Sequence, residues 1–196
     1  MELRKAHKRD AKEGSYLIHR AVGELANSVF SSNDDKKIRN FLSQLFMKGK
    51  NRVSHEYADV IECDGKVVGL ALSYPGYVME KLDKPILEFL KGMYKENPKK
   101  YKENVMPIMN VEEAAKDEYY LDSLAISPKY SGKGFGSSLI KNVIKRAKDL
   151  GFKKTSLIVE VNNKNAEKLY KKLGYKKQEK VIMKDIEFYR MVKSLS

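Results

Sequence analysis

The chain has 196 residues and a formal net charge of +13. It contains no run of about 18 apolar residues, which excludes a membrane-spanning helix, and we expect no membrane partner. Its 42% hydrophobic content supports a folded core, and the charged residues 1–17 lack the apolar stretch of a signal peptide. The single cysteine, Cys63, excludes an internal disulfide and indicates a reducing compartment. We therefore expect one cytoplasmic domain over residues 1–196.

The basic charge is carried mainly by lysine. Only 7 of the 39 basic residues are arginine, and lysine occurs in nearly every segment. Nucleic-acid readers favour arginine for its bidentate contacts, so this composition favours a solvated surface over a polyanion-binding face. Nucleic acid is therefore a disfavoured partner, although a basic nucleic-acid-binding protein without catalysis stays open as an alternative.

The first part of the chain predicts a strand, two helices and a hairpin. Asp10 is a candidate N-cap for the first helix, and Gly49 ends the second. Asp64-Gly65 has the positive-φ preference of a tight hairpin turn. In chain order, the predicted elements span residues 2–6, about 11–30, 38–46, 57–62 and 67–74.

Residues 78–117 then interrupt the pattern with about two helices, at 82–94 and near 99–106, which are punctuated by prolines such as Pro85. Beyond them the pattern predicts a strand, a helix, a strand, a helix and two closing strands. The alternation of strands and helices predicts a mixed sheet with helices on both faces. These last elements span residues 119–126, 136–150, 153–161, 166–173, 175–183 and 186–193.

Three glycines stand at alternate positions, Gly132, Gly134 and Gly136, between a predicted strand and a predicted helix. Without side chains the backbone can curve tightly, so that consecutive N–H groups point into one concavity. The start of the helix adds free N–H donors and the positive end of its dipole. A pyrophosphate fits such a loop, although a simple tight turn from strand to helix would use the same residues.

Two other phosphate-binding loops do not match. A Walker loop needs Lys-Ser or Lys-Thr after its last glycine, and the chain has Phe135-Gly136-Ser137 instead. A dinucleotide-binding loop needs the spacing G-x-G-x-x-G near the first strand, whereas this chain has G-x-G-x-G late in the sequence.

The segment 121–175 resembles the GNAT superfamily of acyl-CoA-dependent N-acetyltransferases. Its loop, SGKGFG over 131–136, follows the family signature R/Q-x-x-G-x-G/A, with Ser131 in place of the usual Arg or Gln. The stretch NKNAEKLYKKLGY over 163–175 follows the family pattern N-x-x-A-x-x-L-Y-x-x-x-G-F/Y. Both patterns occur in the family's order and at a familiar distance, and the predicted order of the other elements agrees.

The resemblance implies an α/β fold with a GNAT-like, mostly antiparallel central sheet of about seven strands. Helices would cover both faces, and a helical insertion at about 78–117 would lie between the third and fourth strands. The implied activity is transfer of an acetyl group from acetyl-CoA, a co-substrate, to a primary amine by direct attack on the thioester. Another acyl-CoA stays open, because the loop would contact the phosphates of the cofactor and not its acyl end.

The resemblance also implies cofactor contacts. Backbone groups of Leu124, Ala125 and Ile126 would lie along the pantetheine arm, and Asn163 would contact the same arm. With Ser131 at the first position of the loop, the long donor side chain of the family is absent, but the backbone at this position keeps its role. A neighbouring lysine, Lys129 or Lys133, is a candidate source of the missing charge. The pyrophosphate is expected on the backbone N–H groups of the loop, which belong to Gly132, Lys133, Gly134, Phe135, Gly136 and Ser137.

For the catalytic residues, Tyr170 resembles the family tyrosine near the thioester sulfur, where a phenol can protonate the leaving thiolate. A core aromatic on an amphipathic helix is the alternative. Because Glu118, Tyr120, Asp122 and Leu124 share one face of a regular strand, Asp122 is the first candidate base for the amine and Glu118 the second. The alternatives are a plain hydrogen-bonding role for Asp122 and deprotonation by solvent without a dedicated base.

The acceptor is expected to be an amine of a small molecule or a peptide. The insertion would form a wall or lid beside it, and Tyr77, Tyr94, Tyr119 and Tyr120 are either contacts or plain packing. If that wall is lysine-rich, like charge would favour an acidic or neutral amine over a polyamine. The final strands (175–193) often contribute to dimers in the family, so a homodimer stays open. The three histidines have no metal-ligand spacing, and we predict no metal.

Overall fold

The computed structural model describes residues 1–195, and within that part of the chain seven strands form one sheet. The strands are β1 (Glu2–Lys5), β2 (Ala58–Cys63), β3 (Lys66–Pro75), β4 (Tyr119–Ile126), β5 (Lys154–Glu160), β6 (Lys176–Met183) and β7 (Ile186–Ser194). They lie in the order β1-β2-β3-β4-β5-β7-β6, and all neighbours are antiparallel except the parallel pair β4–β5. The predicted mixed, mostly antiparallel sheet is confirmed.

The same residues form eight α-helices. They are α1 (Ala11–Val22), α2 (Glu24–Val29), α3 (Asp35–Lys48), α4 (Met79–Met93), α5 (Pro98–Asn104), α6 (Met106–Met109), α7 (Phe135–Asp149) and α8 (Lys164–Lys172). None of these helices has the length and apolar character needed to cross a membrane, as far as residues 1–195 are concerned. Helices α4–α6 form the insertion between β3 and β4. The division of the chain into one domain with this insertion stays an interpretation.

Two sequence expectations about helices are wrong in detail. The predicted helix over 11–30 is two helices, because Gly23, with φ 60° and ψ −136°, ends α1 and begins α2. A residue with a side chain rarely adopts that backbone conformation. In the insertion, the predicted helix over 82–94 begins earlier, at Met79, and ends at Met93. It continues through Pro85, which therefore lies inside the helix and does not interrupt it.

Local turn chemistry sets the other boundaries near the site. Asp34 caps α3, since its carboxylate accepts hydrogen bonds from the N–H groups of Lys36 (2.8 Å) and Lys37 (3.3 Å). Gly49, with φ 77°, ends the same helix. Asp64 (φ 51°) and Gly65 (φ 71°) form the predicted tight turn between β2 and β3.

Helices cover both faces of the sheet, as predicted. On one side, which we call the α1 face, α1, α3 and the insertion pack on β2, β3 and β4 through residues such as Leu17, Phe46 and Leu72. On the other side, the α7 face, α7 and α8 pack on β3, β4, β5 and β7 through residues such as Leu139 and Met191. The two buried clusters fix the sheet between two helical layers.

The sheet opens between β4 and β5. Their parallel pairing is confined to Tyr119–Thr155 and Tyr120–Ser156, whereas β4 stays paired with β3 as far as Ile126–Gly69. The second half of β4 therefore has one edge whose backbone groups do not pair with β5. This divergence creates a cleft at the C-terminal end of β4.

A β-bulge in β4 changes which side chains enter that cleft. Ser123 pairs with Leu72 and Leu121 pairs with Ser73, so that Asp122 is the extra residue. The bulge interrupts the alternation of a regular strand. Asp122 and Tyr120 lie on the α1 face, but Leu124 packs with the α7-face cluster. The expectation that Leu124 shares a face with Tyr120 and Asp122 is therefore wrong.

Candidate functional site

The glycine loop follows β4 directly, through a single 3₁₀ turn over Pro128–Tyr130. Gly132 (φ 78°) and Gly134 (φ 82°) have left-handed backbone conformations, which a side chain would strain. Apart from the glycine and its two chain neighbours, a Cβ atom added at either position would meet no atom of residues 1–195 within 4 Å. The loop therefore needs glycine for its curvature, and the concave backbone that results is open on its outer side.

The loop ends in the N-terminus of α7. Gly134 is the N-cap residue, and the first hydrogen bond of the helix joins the Ser138 N–H to the Gly134 carbonyl at 3.0 Å. The N–H groups of Phe135, Gly136 and Ser137 consequently have no partner within the helix, which is general for a first helical turn. These donors and the helix dipole make the loop a suitable site for an anion such as a pyrophosphate.

A cavity of about 150 Å³ lies where β4 and β5 diverge. Its walls include Leu124 from β4, Asn163 and Tyr170 from the α8 segment, and Asp122. Gly136 adjoins it, since a Cβ atom there would lie 3.5 Å from Leu169 Cδ2 and 3.9 Å from Ile126 Cγ1. The structure thus brings the two sequence motifs, the glycine loop and the 163–175 segment, to one cleft, which we call the cofactor cleft.

Tyr170 lies deep in the cofactor cleft. Its ring meets the ring of Tyr175 edge-on at 5.9 Å between centroids, and its hydroxyl makes no hydrogen bond within residues 1–195. Burial, with a smaller contribution from Tyr175, raises the pKa of Tyr170 above its ordinary value. The phenol therefore keeps its proton at neutral pH and is available as a donor.

Asn163 is the N-cap of α8. Its Oδ1 atom accepts a hydrogen bond from the Ala166 N–H at 3.1 Å, which stabilises the first turn of the helix. The same residue lines the cofactor cleft. The cap orients the side chain, and its amide group stays beside the space that the resemblance assigns to the cofactor arm.

A second cavity, of about 170 Å³, lies on the α1 face and meets the cofactor cleft at shared wall residues, among them Asp122, Ser123 and Phe188. We call it the acceptor cavity. Its polar end is occupied by Arg52, whose Nε donates to Asp122 Oδ2 at 2.8 Å and whose Nη2 donates to Glu113 Oε1 at 2.6 Å. The Arg52 Nη1 atom donates to Asp83 Oδ1 at 3.3 Å.

These four residues, Arg52, Asp83, Glu113 and Asp122, form what we call the Arg52 cluster. The side chains of Arg52, Glu113 and Asp122 are only 12%, 9% and 9% exposed. Burial lowers the pKa of Arg52 while Asp122 and Glu113 raise it, and the result lies well above the ordinary value. Because one guanidinium faces three carboxylates, the cluster has an excess of negative charge.

Two buried tyrosines complete the hydrogen bonding of the cluster. The Tyr74 hydroxyl donates to Asp122 Oδ2, and the Tyr120 hydroxyl donates to Glu113 Oε2 at 2.5 Å. Burial raises the pKa of both tyrosines well above their ordinary value, so that both stay protonated donors. Ser123 Oγ donates to the other oxygen of Asp122 at 2.8 Å. The Asp122 carboxylate is therefore held in one orientation.

Asp83 is the carboxylate of the cluster with the longest hydrogen bond to Arg52, at 3.3 Å. Burial raises its pKa to about 6; Glu113 and Asp122 add to this increase, and Arg52 opposes it. The Asp83 carboxyl group therefore titrates close to neutral pH, unlike that of an ordinary aspartate.

The loop between α3 and β2 positions Arg52. Asn51 is fully buried, and its Nδ2 donates to the carbonyls of Leu45 (2.8 Å) and Gly49 (3.0 Å). The Asn51 Oδ1 accepts from the Val53 N–H at 3.0 Å. These bonds satisfy backbone carbonyl and N–H groups of the loop on both sides of Arg52. They hold the loop in one conformation, which positions the Arg52 side chain.

Sequence reasoning missed Arg52, Asp83 and Glu113, but the composition contained a signal. Arginine is rare in this lysine-rich chain, and a rare arginine suits a buried, bidentate pair better than lysine does. Five of the seven arginines form ion pairs with carboxylates: Arg4, Arg39, Arg52, Arg146 and Arg190.

Glu118, the second candidate base, lies just before β4 and is 3% exposed. Both of its carboxylate oxygens accept from Arg190 Nη2 at 2.5 Å, and Oε2 also accepts from the Ala115 N–H at 3.0 Å. These contacts join the start of β4 to β7. Glu118 lies outside the walls of both cavities as described over residues 1–195.

The tyrosines expected at the acceptor wall lie elsewhere. Tyr77 is 61% exposed and stacks on Phe152, Tyr94 packs on Tyr101, and Tyr119 packs on Phe152. Tyr120 does not line the acceptor cavity as described over residues 1–195, but its hydroxyl bonds to Glu113, which does. The condition of a lysine-rich wall also fails, since within residues 1–195 the wall of the acceptor cavity includes no lysine.

Among residues 1–195, no group of three or more His, Cys, Asp or Glu side chains is arranged to hold a metal ion.

A splayed mixed sheet with a glycine loop beside the cleft is the architecture that the resemblance to the GNAT superfamily implies. The sequence model described as the Acetyltransferase (GNAT) family matches residues 20–175. The chain belongs to this family.

Individual proteins agree with that assignment. The structure of an N-acetyltransferase from Staphylococcus aureus Mu50 has a TM-score of 0.80 at 22% identity, covering 98% of this chain and 100% of that one. The PaiA N-acetyltransferase of Thermoplasma acidophilum, in complex with coenzyme A, has a TM-score of 0.58 at 13% identity, covering 98% of each chain. At these identities the likeness shows the fold.

A curated relative supports the family by sequence. An uncharacterized N-acetyltransferase of Methanocaldococcus jannaschii is 35% identical over 88 residues, which are 45% of this chain and 36% of that protein. The chain spans about a third of the length of the curated relatives it matches.

Proposed function

We propose that the chain is an acetyl-CoA-dependent N-acetyltransferase that moves the acetyl group to a primary amine by direct attack on the thioester. One observation carries this proposal: the cofactor cleft, with the glycine loop beside it, shares the wall residues Asp122 and Ser123 with the acceptor cavity, and we call this shared wall the junction. A thioester in the cleft and an amine in the cavity would meet at that junction, and such proximity is a large part of a transfer reaction's rate enhancement.

Acetyl-CoA fits the residues of the cofactor cleft. The backbone N–H groups from Gly132 to Ser137 would hold the pyrophosphate, and the unpaired edge of β4 at Leu124, Ala125 and Ile126 would lie along the pantetheine arm. Asn163 would contact the same arm. The complex of the Thermoplasma acidophilum protein with coenzyme A supports a CoA-type co-substrate in this fold.

In the reaction, the neutral amine nitrogen would form a bond to the thioester carbonyl carbon. Backbone N–H groups near Ala125 and Ile126 would polarise the carbonyl oxygen. Collapse of the tetrahedral intermediate breaks the carbon–sulfur bond, and the thiolate of CoA leaves with the electron pair. Tyr170 would donate its proton to that sulfur, which suits a buried phenol without another hydrogen-bond partner.

An ammonium must lose one proton before its nitrogen can attack, and Asp122 stays the first candidate to receive it. The attacking nitrogen loses a second proton when the amide forms, and this proton replaces the one that Tyr170 gives to the thiolate. The Asp122 carboxylate lies at the junction, and Arg52, Tyr74 and Ser123 orient it. These three donors occupy both carboxylate oxygens, so we favour transfer through a water molecule over direct contact. Glu118 is the second candidate, but its ion pair with Arg190, in which both carboxylate oxygens accept from Nη2, fits a role in holding β4 to β7 better.

The test is calorimetric titration of CoA into two matched variants. Gly134→Leu places a side chain in the loop, and Gly151→Leu introduces the same strain at the far end of α7, since the φ angles are 82° and 83° and both positions are open. We expect micromolar CoA binding for the wild type and for Gly151→Leu, and its loss in Gly134→Leu. Salt-sensitive RNA binding by a wild type that does not bind CoA would instead support the nucleic-acid alternative.

Other features stay predictions. The glycine loop would contact the phosphates of the cofactor and not its acyl end, so another acyl-CoA stays open. The cytoplasmic location depends on the single cysteine, and the homodimer depends on the family resemblance of β6 and β7.

A further inference from the structure

The acceptor cavity combines a negatively charged end with apolar walls, and this combination restricts the acceptor. Building on the proposed function, we propose that the acceptor is a small primary amine with an uncharged, apolar body. Its ammonium group would enter beside the Arg52 cluster, and its alkyl or aryl body would fill the rest of the cavity. The structure supports this in three ways.

The first is the charge at the junction. Arg52 uses Nε, Nη1 and Nη2 in its bonds to Asp122, Asp83 and Glu113, so a carboxylate or phosphate on the acceptor would find these nitrogens occupied. Two of the three carboxylates, Glu113 and Asp122, line the cavity beside the single guanidinium, so the charge at this end is negative. Although the chain as a whole has a formal charge of +13, this end of the cavity attracts a cation.

The second is the composition of the walls. Apart from Arg52, Glu113, Asp122 and Ser123, the residues that face the cavity are apolar. They come from α1, α2, α3, α4, α6 and the final hairpin, and they include Leu25, Phe30, Leu42, Ile86, Ile108 and Phe188. A second charge on the body of the acceptor would lie against these side chains without a partner, which is strongly unfavourable.

The third is closure on the side of the β6–β7 hairpin. Leu25, Ile108, Met183 and Phe188 pack as one buried cluster that joins α2, α6 and the hairpin. Lys184 in the turn of this hairpin donates to Ser28 Oγ at 3.2 Å and to Asn104 Oδ1 at 3.3 Å. A peptide chain that left the cavity on this side would have to separate these contacts. A small molecule ends inside the cavity and leaves them intact.

The test measures acetyl transfer to matched primary amines as kcat/KM, by release of free CoA thiol. Butylamine and hexylamine vary the apolar body, and 6-aminohexanoate and 1,6-diaminohexane add a terminal charge to the same chain. We expect hexylamine to exceed butylamine by about 15-fold, because each buried methylene contributes about fourfold. The two charged analogues should fall at least about 100-fold below hexylamine. A tetrapeptide with N-terminal alanine should show no transfer.

Preference for the peptide, or for either charged analogue over hexylamine, would overturn the inference and leave the proposed function intact. Lack of transfer to hexylamine by a protein that binds CoA would also overturn it. Failure to bind CoA at all would instead remove the proposed function, and the inference with it.

Variants of the wall provide a second, independent measurement. Ala26→Leu fills the acceptor cavity from α2, whereas Ala147→Leu adds the same volume on the α7 face, away from it. We expect the first to raise the KM for hexylamine about tenfold with unchanged CoA affinity, and the second to leave that KM unchanged. Leu42→Ala enlarges the cavity and should shift the preference from hexylamine to octylamine. An unchanged chain-length preference in both cavity variants would contradict a body bound at these walls.

Discussion

The glycine loop adjoins the cofactor cleft and the Arg52 cluster lies at the acceptor cavity, and the two regions are assembled differently. The loop is a continuous stretch of backbone, and its N–H groups and left-handed glycines act together because they are neighbours in the chain. The Arg52 cluster consists of side chains that lie 31, 61 and 70 positions from Arg52. A site made from local backbone requires particular residue types at a fixed spacing in the sequence. A site made from distant side chains requires only that the fold brings those side chains together, so it leaves no fixed spacing in the sequence.

The two regions should therefore respond differently to substitution. Changes in the Arg52 cluster should alter stability as well as acceptor use, because its charges are buried. Changes in the cofactor cleft should alter cofactor binding or turnover and leave the fold intact.

The largest effect is expected for Arg52→Met. The substitution leaves three buried carboxylates without their cation, and we expect the free energy of unfolding to fall by about 3–5 kcal/mol. Urea denaturation measures this change. The control is Lys145→Met, which removes a charge from an exposed pair with Asp149 and should cost under about 1 kcal/mol. Equal losses in the two variants would show that the cluster is not an integral part of the fold.

The next effect concerns chemistry alone. Tyr170→Phe keeps the ring and its packing on Tyr175 but removes the proton donor, and we expect kcat to fall about 100-fold with an unchanged KM for acetyl-CoA. Steady-state kinetics by thiol release measure both constants. Tyr175→Phe is the matched control, because the Tyr175 hydroxyl contacts Thr155. Turnover unchanged in Tyr170→Phe would remove this tyrosine from the mechanism.

The predictability of the fold differs between these regions for physical reasons. The strand over 119–126 and the Asp64-Gly65 turn were readable, because alternation and positive-φ residues act within a few positions. The break at Gly23 and the bulge at Asp122 were not, since tertiary packing selects them. The Arg52 cluster had only one indirect signal, the rarity of arginine, and its carboxylates, Asp83 and Glu113, resembled ordinary surface charges of the insertion.

A third prediction uses the pKa of Asp83, which burial raises to about 6. A raised carboxylate pKa means that the folded state favours the protonated form of Asp83. The stabilisation that the protonated carboxyl group contributes is fully present below the pKa of Asp83 in the unfolded chain, and it is lost as the pH rises through about 6. Asp83→Asn is neutral throughout. We expect the variant to be more stable than the wild type by about 2 kcal/mol at pH 8, with a smaller difference at pH 5.

Thermal unfolding at both pH values measures that difference. Asp35→Asn, in an exposed pair with Arg39, is the control and should show no comparable pH dependence. If the advantage of Asp83→Asn were the same at pH 5 and pH 8, Asp83 would not titrate between them.

The smallest effect is expected at the atypical position of the loop. Ser131→Arg restores the long donor side chain that the family signature has there, and we expect it to tighten CoA binding by about three- to tenfold at low salt. The gain should shrink at high salt, because the position is exposed. Calorimetry at two salt concentrations measures both effects. Weaker binding in Ser131→Arg would mean that the loop of this chain holds the phosphates in a different arrangement.

Transfer across the junction can be observed in a single experiment. Wild-type protein is incubated with acetyl-CoA and hexylamine, and mass spectrometry measures the acetylated amine against the CoA released. We expect equal amounts of the two products from the wild type and from Gly151→Leu, and neither product above background from Gly134→Leu. CoA release without acetylated amine, or full activity in Gly134→Leu, would contradict acetyl transfer between the cofactor cleft and the acceptor cavity.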